Sequence, residues 1–197
     1  ILCMPNRWSV LLLVLLAGCY SDRDDKAVTD ADGNIYRTVT IGDQVWMAEN
    51  LKVTHYKNGD AIPVVSDDTA WSHLSSGAYC YYNDDVNNTA AYGKLYNWYA
   101  INDSRGIAPG GWHIPTEEEL AILVEHLKGD TIAAGKMKST GISQWLMPNK
   151  GATNESGFSA LPGGYRTDKG SYHTMGSNGY WWSTARSYEM YAWTPRL

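Results

Sequence analysis

A single phenylalanine stands in a chain of 197 residues that holds 9 Trp and 14 Tyr. The chain is not poor in rings. It is poor in the one ring that lacks a polar handle. Buried Trp and Tyr must find partners for their N–H and O–H groups, so they favour wet-edged cores and interfaces. Cysteine is scarce too, at 3 residues, which excludes a scaffold stapled by many disulfides. Lys+Arg number 16 against 21 Asp+Glu, a net charge of −5, with no basic block. No nucleic-acid partner is therefore expected. The sequence also lacks His-Glu-x-x-His, any Cys-x-x-Cys pair and any internal repeat, so it carries none of those metal or dithiol signatures. What it has in quantity is glycine, 19 residues. With so much Trp and Tyr, that points to one loop-rich domain with a short tail, and away from a helical bundle or a coiled coil.

The long apolar run is confined to the start. Ser9 to Ala17 reads SVLLLVLLA, preceded by Arg7. It is too short to span a bilayer as a mature helix, and it has the layout of a secretory signal peptide. Leu16-Ala17-Gly18-Cys19 follows, and resembles the lipobox of bacterial lipoproteins, in which the signal is cut before Cys and the Cys is acylated. Residues 1–18 are thus expected to be the signal, with Cys19 the lipid attachment site. An ordinary signal peptide that happens to place a Cys at its end is the alternative. Several acyl chains on one Cys anchor stably where a single chain does not. Residues 19–29 read as an acidic tether. They resemble the export tag of surface-exposed lipoproteins in Bacteroidetes-type bacteria. The expected location is the cell envelope, as an outer-membrane lipoprotein. With Cys3 removed and Cys19 acylated, Cys80 is the only thiol left in residues 20–197, so no internal disulfide is expected there.

Residues 30–197 form the expected domain. Asp30 to Asn34 is a turn signal. Ile35–Ile41 alternates like a strand, and Gly42-Asp43 turns it into a second strand over 44–48. A short strand is expected at 78–82. The spacing of Tyr92, Leu95, Tyr96 and Tyr99 predicts a helix over 90–101. Thr116 with Glu119 three residues on is a capping box, and Leu120, Leu123, Val124 and Leu127 form the stripe of a second helix stopped by Gly129. Further strands are expected at 157–161 and 179–184, with a long loop at 139–156.

Five blocks then carry a resemblance. They are Thr38–Lys52 (TVTIGDQVWMAENLK), Tyr92–Ala100 (YGKLYNWYA), Gly111–Thr116 (GWHIPT), Ser156–Arg166 (SGFSALPGGYR) and Gly179–Thr184 (GYWWST). Their order and content resemble the Fibrobacter succinogenes major paralogous domain family, across about residues 28–190. The resemblance implies an α+β, C-type-lectin-like or sulfatase-modifying-factor-like fold, with two helices packed on small antiparallel sheets and long irregular loops. Family members commonly end in a further hairpin with a Cys in its last strand. By that comparison the last strands are missing here, and the absent Cys is a candidate partner for Cys80. Many members also carry a Cys before Gly-Trp-His, where this chain has Ile107-Ala108-Pro109-Gly110.

Specific chemistry is thinly signalled. Asp30-Ala31-Asp32-Gly33-Asn34 opens like a calcium loop, but Ile35 and Ile41 occupy the positions that need Gly and Glu. Met147-Pro148-Asn149 faintly resembles a lectin calcium tripeptide with Met in place of the first ligand. No metal and no cofactor is therefore expected, and an enzyme is the least favoured class. His113, just before a helix cap, is expected to make a structural hydrogen bond. The loop aromatics Trp145 and Tyr172, with Asn149, Asn154, Arg166 and Asp168 near them, are the candidate ligand contacts. The expected ligand is a glycan or a surface protein, bound by a lipid-anchored adhesion module. A structural component of the envelope with no small ligand is the alternative.

Overall fold

The computed structural model describes residues 3–4, 27–184 and 191–193. Cys19, the whole apolar run Ser9–Ala17 and most of the tether lie outside them.

The hairpin expected from Gly42-Asp43 forms between β4 (Thr38–Ile41) and β5 (Gln44–Met47), in the register Ile41 opposite Gln44 and Thr38 opposite Met47. A two-residue connection asks for positive φ, and Gly42 supplies it at +59°. A short β1 (Cys3–Met4) pairs with the other edge of β5, opposite Trp46 and Val45. This strand belongs to the segment expected to be cut away. Before the hairpin, β2 (Val28–Thr29) pairs with β3 (Ile35–Tyr36) across the turn at Asp30–Asn34. The expected strand over 35–41 is thus split at Arg37. The buried Asp30 carboxylate holds the turn, accepting from the backbone N–H of Asp32 and Asn34 and from the Tyr36 hydroxyl.

The helix predicted over 90–101 does not exist as one element. α1 (Asp68–Ser72) and β6 (Tyr79–Cys80) precede it; α2 (Thr89–Tyr92), β7 (Leu95–Tyr96) and α3 (Trp98–Ile101) replace it. β7 pairs with β6, Tyr79 opposite Tyr96. The break lies at Gly93, with φ +73° and ψ −153°, where a Cβ would come 2.7 Å from the Leu51 carbonyl. Asn97 then restarts the helix by capping the Ala100 N–H. Long-range pairing overrode a periodicity that was real but two turns long.

The second helix is as read. α4 (Glu117–His126) carries both halves of the Thr116–Glu119 capping box. His113 Nε2 lies 2.8 Å from the Glu119 carboxylate, the structural contact expected of it. α5 (Asp130–Met137) follows and was not foreseen. Leu120, Leu123 and Leu127 pack with Ala133, Met137, Trp46, Phe158 and Trp181. A second core gathers Tyr36, Met47, Val53, Tyr79, Tyr96 and Trp112 on the other side of the hairpin. After the long loop, β8 (Tyr165–Arg166) pairs with β9 (Tyr172–His173), and β10 (Gly179–Trp181) with β11 (Tyr191–Trp193). The strand expected at 157–161 is reduced to a single bridge, Ala160 to Lys138. The architecture is α+β, with small antiparallel sheets. Among the described residues no helix is long and apolar enough to cross a membrane.

Candidate functional site

The chain folds so that three distant aromatic segments face one another across a cleft of about 100 Å³. One wall comes from the turn after α2 and from β7. Gly93 lets this segment lie against the rim that leaves β5, where the Lys94 N–H donates to Leu51 O at 3.1 Å. The opposite wall is β10 and its continuation, Tyr180 to Trp182, together with Gly163 to Arg166. Asn50 ties the walls together: its Nδ2 donates to Tyr92 O, and its Oδ1 accepts from Trp181 Nε1, both at 3.0 Å. A second tie runs from Trp182 Nε1 to Tyr96 O at 2.8 Å.

The third side is a clamp built on Arg166. Its guanidinium donates to Gly170 O, Val65 O, Ser66 O and the Asp68 carboxylate, at 2.6–2.9 Å. The ring of Trp71 lies 4.5 Å from it on one side and that of Tyr172 4.8 Å on the other. Trp71 Nε1 donates to Thr167 O, so the helix α1 is fastened to the β8–β9 turn. Cys80 packs behind Trp71. Burial pushes its thiol pKa up, with Arg166 and Tyr172 acting in the opposite direction.

The indole N–H groups of Trp71, Trp181 and Trp182 are therefore engaged with protein acceptors, and of the lining rings Tyr92, Tyr165, Tyr180 and Trp182 remain half-buried. Tyr165 stacks on His173 at 5.5 Å and meets the edge of Tyr180 at 4.8 Å. Among the described residues, Lys94 and Arg166 are the charged residues on the lining, to which no Asp, Glu, His or Cys contributes. Burial lowers the Lys94 pKa, while Asp32 and Asp30 oppose it. Such a site suits stacking and hydrogen bonding.

Of the six contacts expected from the sequence, only Arg166 lines this cleft. Trp145 is no exposed ring. It is 3% exposed, donates to Ser139 Oγ and Ala160 O, and carries the Lys138 ammonium 4.5 Å over its face. Asn149 holds the loop by donating to Ser139 O and Gly141 O. Asn154, at φ +52°, bonds Ser159 through both ends of its amide. Tyr172 donates to Asp84 at 2.8 Å with its ring on Arg166, and Asp168 is exposed in the β8–β9 turn. Cys19 lies outside the described residues. Sequence reasoning did not name Trp71, Tyr92, Tyr165, Tyr180, Trp181 or Trp182 as contacts. A signal was present: each of the five blocks contributes to this lining, from Asn50 and Tyr92 through Ile114 to Tyr165 and Trp182. Among the described residues, no group of three or more His, Cys, Asp or Glu could hold a metal ion.

Comparison with known proteins found no matching curated protein and no matching solved structure. The pattern of one family does match, the Fibrobacter succinogenes major domain, over residues 39–196. The match takes in the first block from Val39 on and the other four whole, and the chain belongs to the Fibrobacter succinogenes major domain family.

Proposed function

We propose that this chain is a lipid-anchored binding module of the bacterial cell envelope, C-type-lectin-like in build, whose aromatic cleft takes a glycan. The observation that carries this is the state of the rings. Their N–H groups are engaged within the protein, so what the half-buried rings of Tyr92, Tyr165, Tyr180 and Trp182 have to offer a ligand is mainly apolar carbon surface. Pyranose rings present one apolar C–H face and a polar edge, and a cleft of this chemistry meets both. The lipid anchor and envelope location rest on Leu16-Ala17-Gly18-Cys19 and the run before it. The test is a glycan array followed by titration of the full chain. Tyr165→Ala and Trp182→Ala lose at least 10-fold in affinity, about 1.4 kcal/mol. Failure of every glycan to bind, or binding untouched by both substitutions, refutes the reading.

A second reading, an assembly component of the envelope, draws on a different feature. Ile142, Leu146 and Met147 are 60%, 63% and 75% exposed in one loop, an apolar tip of the kind that marks protein contacts. If that reading holds, Leu146→Ser and Met147→Ser abolish retention in envelope complexes and the cleft substitutions do not.

A further inference from the structure

We infer that the apolar tip of the 139–156 loop seats in a lipid surface, the headgroup boundary of the membrane that carries the anchor. This rests on the lipid-anchor reading above, and it gives the tip a lipid occupant in place of the protein contact of the second reading. The tip is closed and braced. Its root is Trp145, 3% exposed and donating to Ser139 Oγ and Ala160 O. The Asn149 amide donates to both Ser139 O and Gly141 O, which draws residues 141 and 149 together. The Leu146 N–H donates to Gly176 O at 2.7 Å. Leu146 lies over Gly176, where a Cβ would come 2.9 Å from its Cγ. Between these ties stand Ile142, Leu146 and Met147, 60%, 63% and 75% exposed. Backbone groups carried toward hydrocarbon must be paired within the protein. The ties pair Ser139 O, Gly141 O and the Leu146 N–H in that way.

Charge and reach say what covers the tip. Within residues 22–197 the two longest stretches without Asp or Glu are 131–154 and 169–188. The tip lies in the first, and Gly176, on which it rests, lies in the second. Two acid-free stretches therefore meet at the tip, in a chain whose net charge is −5. At the end of the loop Glu155 pairs with Lys136, and the exposed Lys150 directly follows the tip. An anionic lipid surface repels carboxylates and attracts Lys, so this is the face that an acidic chain can turn toward it. Reach agrees. From an acylated Cys19 to Val28 the chain extends at most about 30 Å, which holds the domain at the membrane. The tip then adds a second contact at high effective concentration and fixes the orientation of the domain.

The test uses the full chain, lipidated in a lipoprotein-processing bacterium and reconstituted in vesicles of phosphatidylethanolamine and phosphatidylglycerol. A fluorescent thiol label is placed at Met147→Cys or, for comparison, at Asp43→Cys in the exposed β4–β5 turn, while the buried Cys80 stays unlabelled. Lipids with a quencher just below the headgroups quench the label at 147 about 3-fold or more above that at 43, since an inserted apolar face lies about 5–10 Å into the boundary. The difference grows with the share of phosphatidylglycerol. It is lost when Ile142→Glu and Leu146→Glu are added, with the melting temperature unchanged. Equal quenching at 147 and 43, in acylated chain that sediments with the vesicles, overturns the inference and leaves the anchor reading standing. Chain that is neither acylated nor held by the vesicles defeats both. A label at 147 that is shielded by solubilised envelope proteins but not by vesicles overturns the inference in favour of the second reading.

Discussion

Asn50 is the residue on which the cleft most depends. Its amide accepts from Trp181 Nε1, 131 residues away in sequence, while donating to Tyr92 O at the end of α2. Removing it leaves a buried indole donor and a carbonyl without partners. A buried unsatisfied donor costs about 1–3 kcal/mol, and a neutral bond contributes about 1 kcal/mol net. Asn50→Ala opens space that water from the cleft can enter, so its cost falls near 1–2 kcal/mol on this scale. Asn50→Leu fills the space with an apolar group that answers neither partner and keeps water out, so it costs more, about 3 kcal/mol. At about 2–4 °C per kcal/mol for a domain of this size, the Leu variant melts about 6–12 °C below the wild type.

The assay is thermal and urea unfolding, read by the near-ultraviolet signal of the Trp residues. A cycle with Trp181→Phe isolates the bridge. Once the indole N–H is gone, Asn50→Ala costs about 1 kcal/mol less than it does in the wild type. Asn50→Asp gives a further check through pH. Its carboxylate faces the Tyr92 carbonyl in a half-buried place, which raises its pKa above the ordinary value near 3.9. A raised pKa means stability present at low pH and lost as pH rises through the folded value, so this variant gains on Asn50→Leu as pH falls. An Asn50→Leu protein that melts within 2 °C of the wild type refutes the reasoning, since the tie would then contribute nothing.

Four other outcomes follow from the same structure. Gly93→Ala costs about 3 kcal/mol or more by urea unfolding, because a Cβ at φ +73° meets Leu51 O at 2.7 Å and Asn50 Cβ at 2.8 Å; a cost under 1 kcal/mol contradicts it. Burial pushes the Glu119 pKa up, but the Thr116 N–H and His113 outweigh it and hold the carboxyl below its ordinary 4.5. Its contribution is therefore present above that value and lost as pH falls below it, and Glu119→Gln flattens the acid limb of the stability curve. Cys80, buried and with its pKa raised, alkylates at least about 100-fold slower in native protein than in guanidinium. Cys19→Ser abolishes incorporation of a labelled fatty acid during expression in a lipoprotein-processing bacterium, while the wild type is labelled.

What was legible in the sequence was local. The Thr116–Glu119 box and the Gly42-Asp43 turn are written in residues three apart or fewer, and both formed as read. The helix over 90–101 failed because its apolar spacing served another purpose: Tyr96 pairs with Tyr79, and Gly93 turns the chain onto Leu51. α5 escaped notice because its buried face is Ala133, Ala134 and Met137, with Gly135 inside it, a weak stripe for a helix pressed close to its neighbour. A Cβ at Gly135 would lie 2.3 Å from Gly151 O, which explains that glycine. Trp145 was placed among exposed rings because it lies in a loop. A loop residue can still be core when a distant segment covers it, and here residues 139 and 160 do so. The cleft could not be seen locally, since its walls meet only after folding.

The near-absence of phenylalanine finds its physical account in the shortness of the strands. The longest described strand has 4 residues, so most loop carbonyls have no ladder to serve them, yet buried ones must be paired. Trp and Tyr supply those bonds from their ring tips. Trp71 reaches Thr167 O, Trp145 reaches Ala160 O, Trp182 reaches Tyr96 O and Tyr96 reaches Val53 O. Each joins segments at least 15 residues apart while burying a large apolar body. Phe would bury a similar area and leave each carbonyl unanswered, at about 1–3 kcal/mol apiece. Trp46 is one exception, with a buried Nε1 that has no partner among the described residues. A ring whose polar tip is held by the scaffold is fixed in orientation, and Trp71, Trp145 and Tyr96 are all buried in that role. Composition that reads as a binding surface thus serves first as the fold's cross-bracing.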